Sequence, residues 1–400
     1  MTRSALVRQV IYVITAGYTS LIQALQVLVP LYAVHLGFTT AQIGVIVAFQ
    51  AVLQIGLRIP VGLLCQAIGE RRILAASFLS MAACWSMLWA TPDYRWILAA
   101  QLLMGFSRAV FWVGVQSYVA RFAVGGEASR LGAMQAVGGV GRILSPTIAG
   151  VLAASLGFGR TFLSGTGVSL AAALLVLLLQ PLPLKAREGA PGAIWREVRH
   201  EAARPASVLA GVATGMAAVI EGVVGGFAPV HLKFLGAGDE MIGLLMSVRG
   251  GLAAAASFIG GRLLERGYGA LVHGAVYLTM TASMVGVALT SAWPVAGILL
   301  ALTGAAGSVL HVQGLVTATR GIPQEVRGLA VGLNGTYWSV GLTAGPFLFG
   351  LLAQGASLSM AMAATGGVYA IVGLVLRKVA AWSTVLGPPG AAQPGHPPPG

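Results

Sequence analysis

Charge is scarce in this sequence, and acidic charge is scarcer still: 9% of the 400 residues are Asp, Glu, Lys or Arg, and only 11 are acids. A soluble globular domain carries about 25% charged residues, so water is not the main solvent of this chain. Cysteine is nearly absent. Cys65 and Cys84 both lie in apolar stretches, which excludes a disulfide framework or a cysteine-built metal cluster and leaves the redox compartment unread. The three lysines, Lys185, Lys233 and Lys378, follow Leu or Arg and never Gly. The Gly-Lys step of a phosphate-cradling loop is therefore missing, and with it an ATP-driven pump. A membrane enzyme would need carboxylates or histidines gathered at an aqueous boundary, yet the six His are dispersed without metal-ligand spacing. Neither enzymatic chemistry, nor a metal, nor a cofactor is expected.

What fills the chain is hydrocarbon, at 57% hydrophobic residues and a mean hydropathy of +0.85. A span costs roughly 20 residues plus a short loop, so the length allows about twelve transmembrane helices and little else. Apolar runs lie at 10–34, 41–64, 73–90, 96–119, 131–156, 161–179, 207–232, 241–264, 270–291, 295–317, 329–352 and 358–376. They read as helices, because backbone amides in lipid need internal partners and the runs are too long and uniformly apolar for barrel strands. The first exceeds a signal peptide's apolar region and lacks a small-residue cleavage site, so it reads as the first span.

Net charge is +13, which suits either nucleic acid or a membrane topology signal. The positions of the basic residues decide. Of 24 Lys and Arg, Arg58, Arg108, Arg142 and Arg249 fall within runs and Arg95, Arg160 and Lys233 on one side; the other 17 share the side of the N-terminal tail. By the positive-inside rule both termini are cytoplasmic, in the plasma membrane (the inner membrane of a bacterium), and no nucleic acid is expected. The longest polar stretch, Gln180 to Pro205, separates two halves. The expected organisation is a six-helix bundle at 1–182, a cytoplasmic linker at 183–205, a second six-helix bundle at 206–380 and a disordered Pro- and Gly-rich tail at 381–400. Within the linker, Ile194 to Ala203 reads either as a short amphipathic helix or, preferably, as solvated chain.

The halves repeat each other. An offset of 199 pairs Pro30 with Pro229, Leu36-Gly37 with Leu235-Gly236, Ile43-Gly44 with Ile242-Gly243, Gly105 with Gly304 and Arg121 with Arg320. One residue more pairs Gly141, Pro146 and Gly150 with Gly341, Pro346 and Gly350. Such near-gapless pairing of prolines signals an internal duplication of six helices.

These residues resemble the major facilitator superfamily. Its Gly-x-x-x-Asp-Arg-x-Gly-Arg-Arg signature is met in part by Gly62, Gly69 and Arg71, with Gln66 and Ala67 in place of the Asp-Arg pair, and again by Gly261, Glu265 and Arg266. The run Gly141 to Gly150, with Pro146, is similar to the fifth-helix pattern of the family's antiporters, and Gly341 to Gly350, with Pro346, repeats it. The resemblance spans Val10 to Leu376 and implies an all-α membrane protein. Its twelve helices would form two pseudo-symmetric bundles around a central cavity, as in the family's efflux branch, with charge contacts at the signature loops and a hinge at the prolines.

Polar groups inside a membrane are expensive and should face a cavity or one another. They occur only in runs 1, 2, 4, 5, 7, 8, 10 and 11, and runs 3, 6, 9 and 12 have no Gln, Asn, Arg or Glu well inside. Helical stripes form at Thr15, Thr19, Gln23 and Gln26, at Gln50, Gln54 and Arg58, at Gln101, Arg108 and Trp112, at Thr303, Gly307 and His311, and at Asn334, Trp338 and Gly341. Each stripe alone reads as helix-helix glue; together they read as a water-filled cavity. The substrate-binding residues expected are Arg108, Arg142, Arg249, Gln23, Gln54, Trp112, Asn334 and Trp338. Glu221, the sole acid at mid-bilayer depth, is expected to couple protons, with His311 as a second relay; a permanent ion pair of Glu221 with Arg249 or Arg142 stands against that. Excess arginine favours an anionic or zwitterionic small-molecule substrate. The expected protein is a monomeric, proton-coupled secondary transporter that exports a small organic solute. Uptake of an organic anion is the second reading, and a non-transporting sensor of the same shape the third.

Overall fold

The computed structural model describes residues 3–122, 127–181, 199–319 and 324–378. Within them the chain is all helix: α1 Arg3–His35, α2 Thr40–Ile68, α3 Glu70–Ala90 and α4 Tyr94–Phe122, then α5 and α6 in the run Glu127–Val176. The second half comprises α7 Pro205–Phe234, α8 Asp239–Glu265, α9 Gly269–Leu289, α10 Trp293–Thr319, α11 Gln324–Gly355 and α12 Leu358–Lys378. Gly157, at φ 78° and ψ 164°, divides α5 from α6, a backbone conformation that an L side chain would strain. Ten runs among the described residues are long and apolar enough to cross a bilayer, Val137–Val176 covering both α5 and α6.

Most helices run past their apolar segments at one or both ends. Thr39 and Gln42 close a capping box at the start of α2. Pro205 opens α7 at its first turn, where its missing N–H costs nothing. The duplication is visible in the caps. Gly37 (φ 76°) ends α1 and Gly236 (φ 90°) ends α7, each followed by a residue whose N–H reaches back to a helix carbonyl, Ala33 at 3.0 Å and Leu232 at 2.9 Å. Of the linker, Arg199 to Ala203 is helical and Glu201 pairs with Arg204 at 2.8 Å; the remainder of the proposed amphipathic helix and the tail at 381–400 lie outside the described residues.

Within the first half α1 packs on α5, and α4 on α2 and α3; within the second α7 packs on α11, and α10 on α7 and α8. The halves meet along two seams, α2 against α11 and α5 against α8. Both seams are glycine-tight at the end opposite the termini. A Cβ on Gly44 would stand 2.6 Å from the Pro346 carbonyl oxygen, and one on Gly150 2.5 Å from that of Asp239. Gly243 lies against the Pro146 carbonyl and Gly150 in the same way. On the α5–α8 seam Ser247 also bonds both the backbone N–H of Thr147, at 3.0 Å, and its hydroxyl, at 2.7 Å.

Candidate functional site

Between the halves lies a narrow pocket, whose non-atom space of about 330 Å³ includes space open to solvent. From the first half α1 lines it with Leu25, Gln26, Val29 and Pro30, α2 with Val47 and Gln50, and α4 with Gln101 and Met104. From the second half α7 contributes Glu221, Gly222, Gly225 and Gly226, and α11 Leu342. The helix periodicity explains the α7 wall: after Glu221, glycines at 222, 225 and 226 leave one face without side chains, so the neighbouring helices come close.

The polar wall is built on the duplication. Gln50 of α2 and Arg249 of α8 are equivalent at the offset of 199, as are Gly105 and Gly304. Gly105 lets α4 lie directly on the Gln50 backbone, and Gly304 lets α10 lie on the Arg249 stem, whose Cγ a Cβ there would meet at 2.5 Å. Each equivalent side chain then serves a different partner. Gln50 Oε1 accepts from Arg108 Nη1 at 3.0 Å. Arg249 Nη2 donates to Glu221 Oε2 at 2.5 Å. Arg249 is buried, with 9% of its side chain exposed, while Glu221 keeps 26% and faces the pocket. The Nε atoms of Arg108 and Arg249 and the Nε2 of Gln101 are buried without an acceptor among the described residues.

The structure brings together only some of the residues expected at the site. Arg108 and Arg249 stand directly behind the pocket wall, and Glu221 is on it. Arg142 is exposed and lies outside the lining, although its charge acts on Glu221, as do those of Arg249 and Arg108. Gln54 turns back on its own helix, donating to the Gln50 carbonyl at 2.8 Å, and Gln23 is half-buried outside the lining. Asn334 accepts from Thr214 at 2.7 Å, Trp338 packs edge-to-face on His311 with centroids 4.5 Å apart, and Trp112 packs edge-on against Phe111. Each of these contacts lies within one half, but Trp338 also packs against Ala51 of the first half, Ala218 and the lining residue Leu342.

Of the signature residues, Gly69 (φ 87°) joins α2 to α3 and Arg71 follows in the first turn of α3. Between them Glu70 is buried and accepts from Ser117 of α4 at 2.8 Å. The surroundings of Gly62 lie outside the described side chains. Gly261 faces Val312 at 4.0 Å, and Glu265 and Arg266 end α8, exposed. Pro146 and Pro346 present their carbonyls to the seam glycines. Gln26, Gln50 and Gln101 were visible as stripe members but not as pocket residues; the signal shared by the last two is the repeat glycine Gly105, four residues after Gln101 on α4 and packed on the Gln50 backbone.

The sequence profile of the Major Facilitator Superfamily matches residues 11–233 and again 210–398. Uncharacterized transporters of that type from Yersinia pestis (strain Pestoides F) and Yersinia pseudotuberculosis serotype O:3 (strain YPIII) are each 25% identical over 371 residues, 90% of this chain and 93% of theirs. Among solved structures, a bacterial homolog of the human lysosomal transporter Spinster, in an inward-facing and unoccupied conformation, superposes with a TM-score of 0.81 at 14% identity, covering 96% of this chain and 98% of that one. The nucleoside transporter NupG superposes with a TM-score of 0.74 at 13% identity, covering 96% and 99%. Two equivalent halves, a pocket lined from both and a profile that matches across the chain place it plainly: it belongs to the major facilitator superfamily and is a multi-pass membrane transporter of that family.

Proposed function

We propose that this transporter exports a small organic solute across the plasma membrane by alternating access, driven by proton entry through Glu221. The observation that carries the reading is the placement of Glu221. It is the only acid lining the pocket among the described residues, it is held by Arg249 of the neighbouring helix, and it remains open to the pocket. A carboxylate so placed has two states of different charge. Ionised, it binds Arg249; protonated, it releases a guanidinium whose remaining donors need an acceptor. Proton and solute therefore compete for one electrostatic centre, which is what an antiporter requires.

Alternation is supported by the seams. Glycine packing seals the end opposite the termini, so the solute path of this conformation runs toward the side of the termini. Breaking the seams at Gly44 and Gly243 and closing the opposite end would expose the same pocket to the other side. The direction, outward, rests on the likeness of the Gly141 to Gly150 run to the antiporters of the family. A second reading, uptake of an organic anion, is favoured by one observation: among the described residues the hydrogen-bond partner of Arg108 is neutral Gln50, not a carboxylate.

The test is transport by the purified chain in vesicles under an imposed pH gradient, on a panel of organic anions and amphipathic cations. Gradient-driven accumulation of any of them supports the reading; counterflow with no response to the gradient removes the proton. The proposed orientation, both termini cytoplasmic, follows from the basic residues, and periplasmic reporter activity from a fusion at Ala190 would contradict it.

A further inference from the structure

We infer that the pocket selects bipolar solutes, holding a carboxylate at the Gln101 and Arg108 side and an ammonium group at Glu221. This deepens the proposed function and rests on its assignment of the pocket as the solute site.

The two walls ask for opposite partners. On the first-half side of the pocket the buried polar atoms without a partner among the described residues, Gln101 Nε2 and Arg108 Nε, are both donors. Gln101 is 2% exposed, lines the pocket, and its Nε2 has no acceptor among the described residues. Arg108 spends one N–H on Gln50 and leaves its Nε unfilled. A buried donor without an acceptor costs about as much as a lost hydrogen bond, so a ligand that supplies the acceptor recovers that cost on binding. The positive charge of Arg108 makes an anionic acceptor the best match.

The second-half wall asks for the reverse. Glu221 gives one oxygen to Arg249 and keeps a quarter of its side chain open to the pocket. A carboxylate is an acceptor only, so what docks there must donate. A simple anion would satisfy Gln101 and Arg108 but face Glu221 across the pocket, and a simple amine would satisfy Glu221 but leave the Gln101 donor unfilled. Only a solute carrying both groups serves both walls. Between the poles the lining is Leu25, Val29, Val47 and Met104, which suits a hydrocarbon spacer.

The experiment measures binding, not transport, using the purified full chain in detergent. The probes are aminobutyrate, aminohexanoate and aminooctanoate, each compared with the alkanoate, the alkylamine and the alkanediol of equal length. At least one amino acid of the series should bind about tenfold to a hundredfold tighter than its matched monopoles, the value of a charge-assisted hydrogen bond. Gln101→Leu should erase its advantage over the amine while leaving affinity for the amine unchanged, and should not lower the thermal midpoint of the empty protein, since it removes an unfilled buried donor. Gln101→Glu should turn the preference toward diamines.

Equal or tighter binding of the alkanoates, alkylamines or diols would overturn the assignment, as would no binding by the whole series or unchanged selectivity in Gln101→Leu. The outcome is separable from the transport reading. Bipolar selectivity without proton coupling leaves this inference standing and removes the other, and proton-coupled transport without bipolar selectivity does the opposite.

Discussion

Gly243 of α8 is the position where one methyl group tests the conformational argument. A Cβ there would run into the Pro146 carbonyl and approach the Gly150 Cα to 3.2 Å. Both obstacles are backbone, so no side chain can swing aside, and the overpacking cost should fall in the usual range of about 1–3 kcal/mol. That cost exists only while the seam is closed. Gly243→Ala should therefore lower the population of the closed seam about fivefold to a hundredfold relative to the open one. Gly44→Ala, the equivalent change against the Pro346 carbonyl on the other seam, should act in the same direction. Gly251→Ala supplies the control. It lies on the same helix with nothing within 4 Å, so it carries the general Gly-to-Ala effect on a helix and none of the clash. The assay is the distance between spin labels at Pro92 and Ser291, exposed loop residues at the end opposite the termini, in a background with Cys65 and Cys84 replaced. The long-distance component should grow in Gly243→Ala and Gly44→Ala and not in Gly251→Ala. A distribution unchanged from the parent in both seam variants would refute the claim that glycine packing seals this end.

Two further substitutions probe the charges. Arg249→Met leaves Glu221 without its partner and should destabilise the protein by about 3–5 kcal/mol, whereas adding Glu221→Leu should recover most of that loss, as thermal unfolding in detergent would register. Arg108→Lys keeps the charge but replaces a planar fork by a point donor, and should weaken binding of carboxylate-bearing solutes about tenfold to a hundredfold with near-normal protein levels.

Helix number and order were legible because lipid imposes a single requirement, about 20 apolar residues per span, and the sequence meets it run by run. The duplication was legible in its prolines and glycines, and it reappears as paired caps at Gly37 and Gly236 and paired seams at Gly44 and Gly243. The polarity rule held in part: α1, α2, α4, α7 and α11 line the pocket and α3, α6, α9 and α12 contribute nothing to it, but neither do α5, α8 and α10. Which member of a stripe faces inward was not legible. Gln50 and Gln54 share one helical face, yet a rotation of tens of degrees decides that Gln50 meets the pocket and Gln54 bonds its own backbone. That rotation is set by where α4, through Gly105, comes to rest on the Gln50 backbone of α2, a contact between residues 55 positions apart in the chain. The orientation of Arg142 was not legible for the same reason. Depth along α5 follows from counting residues, but the direction its side chain leaves the helix follows from how α5 meets Gly250, whose Cβ would stand 2.8 Å from the Arg142 carbonyl. The ion pair of Glu221 was one of two readings open in the sequence, and the structure adds that the paired carboxylate still faces the pocket, so pairing and coupling are compatible.

The most direct test of the central claim is a comparison of the parent chain with Glu221→Gln in the same vesicles, measured in two ways: exchange of labelled solute at equal pH, and accumulation under an imposed pH gradient. The side-chain shape is kept and only the titratable charge is lost. Exchange should remain measurable in the variant while accumulation against the solute gradient disappears. Accumulation by Glu221→Gln at the parent level would contradict that claim.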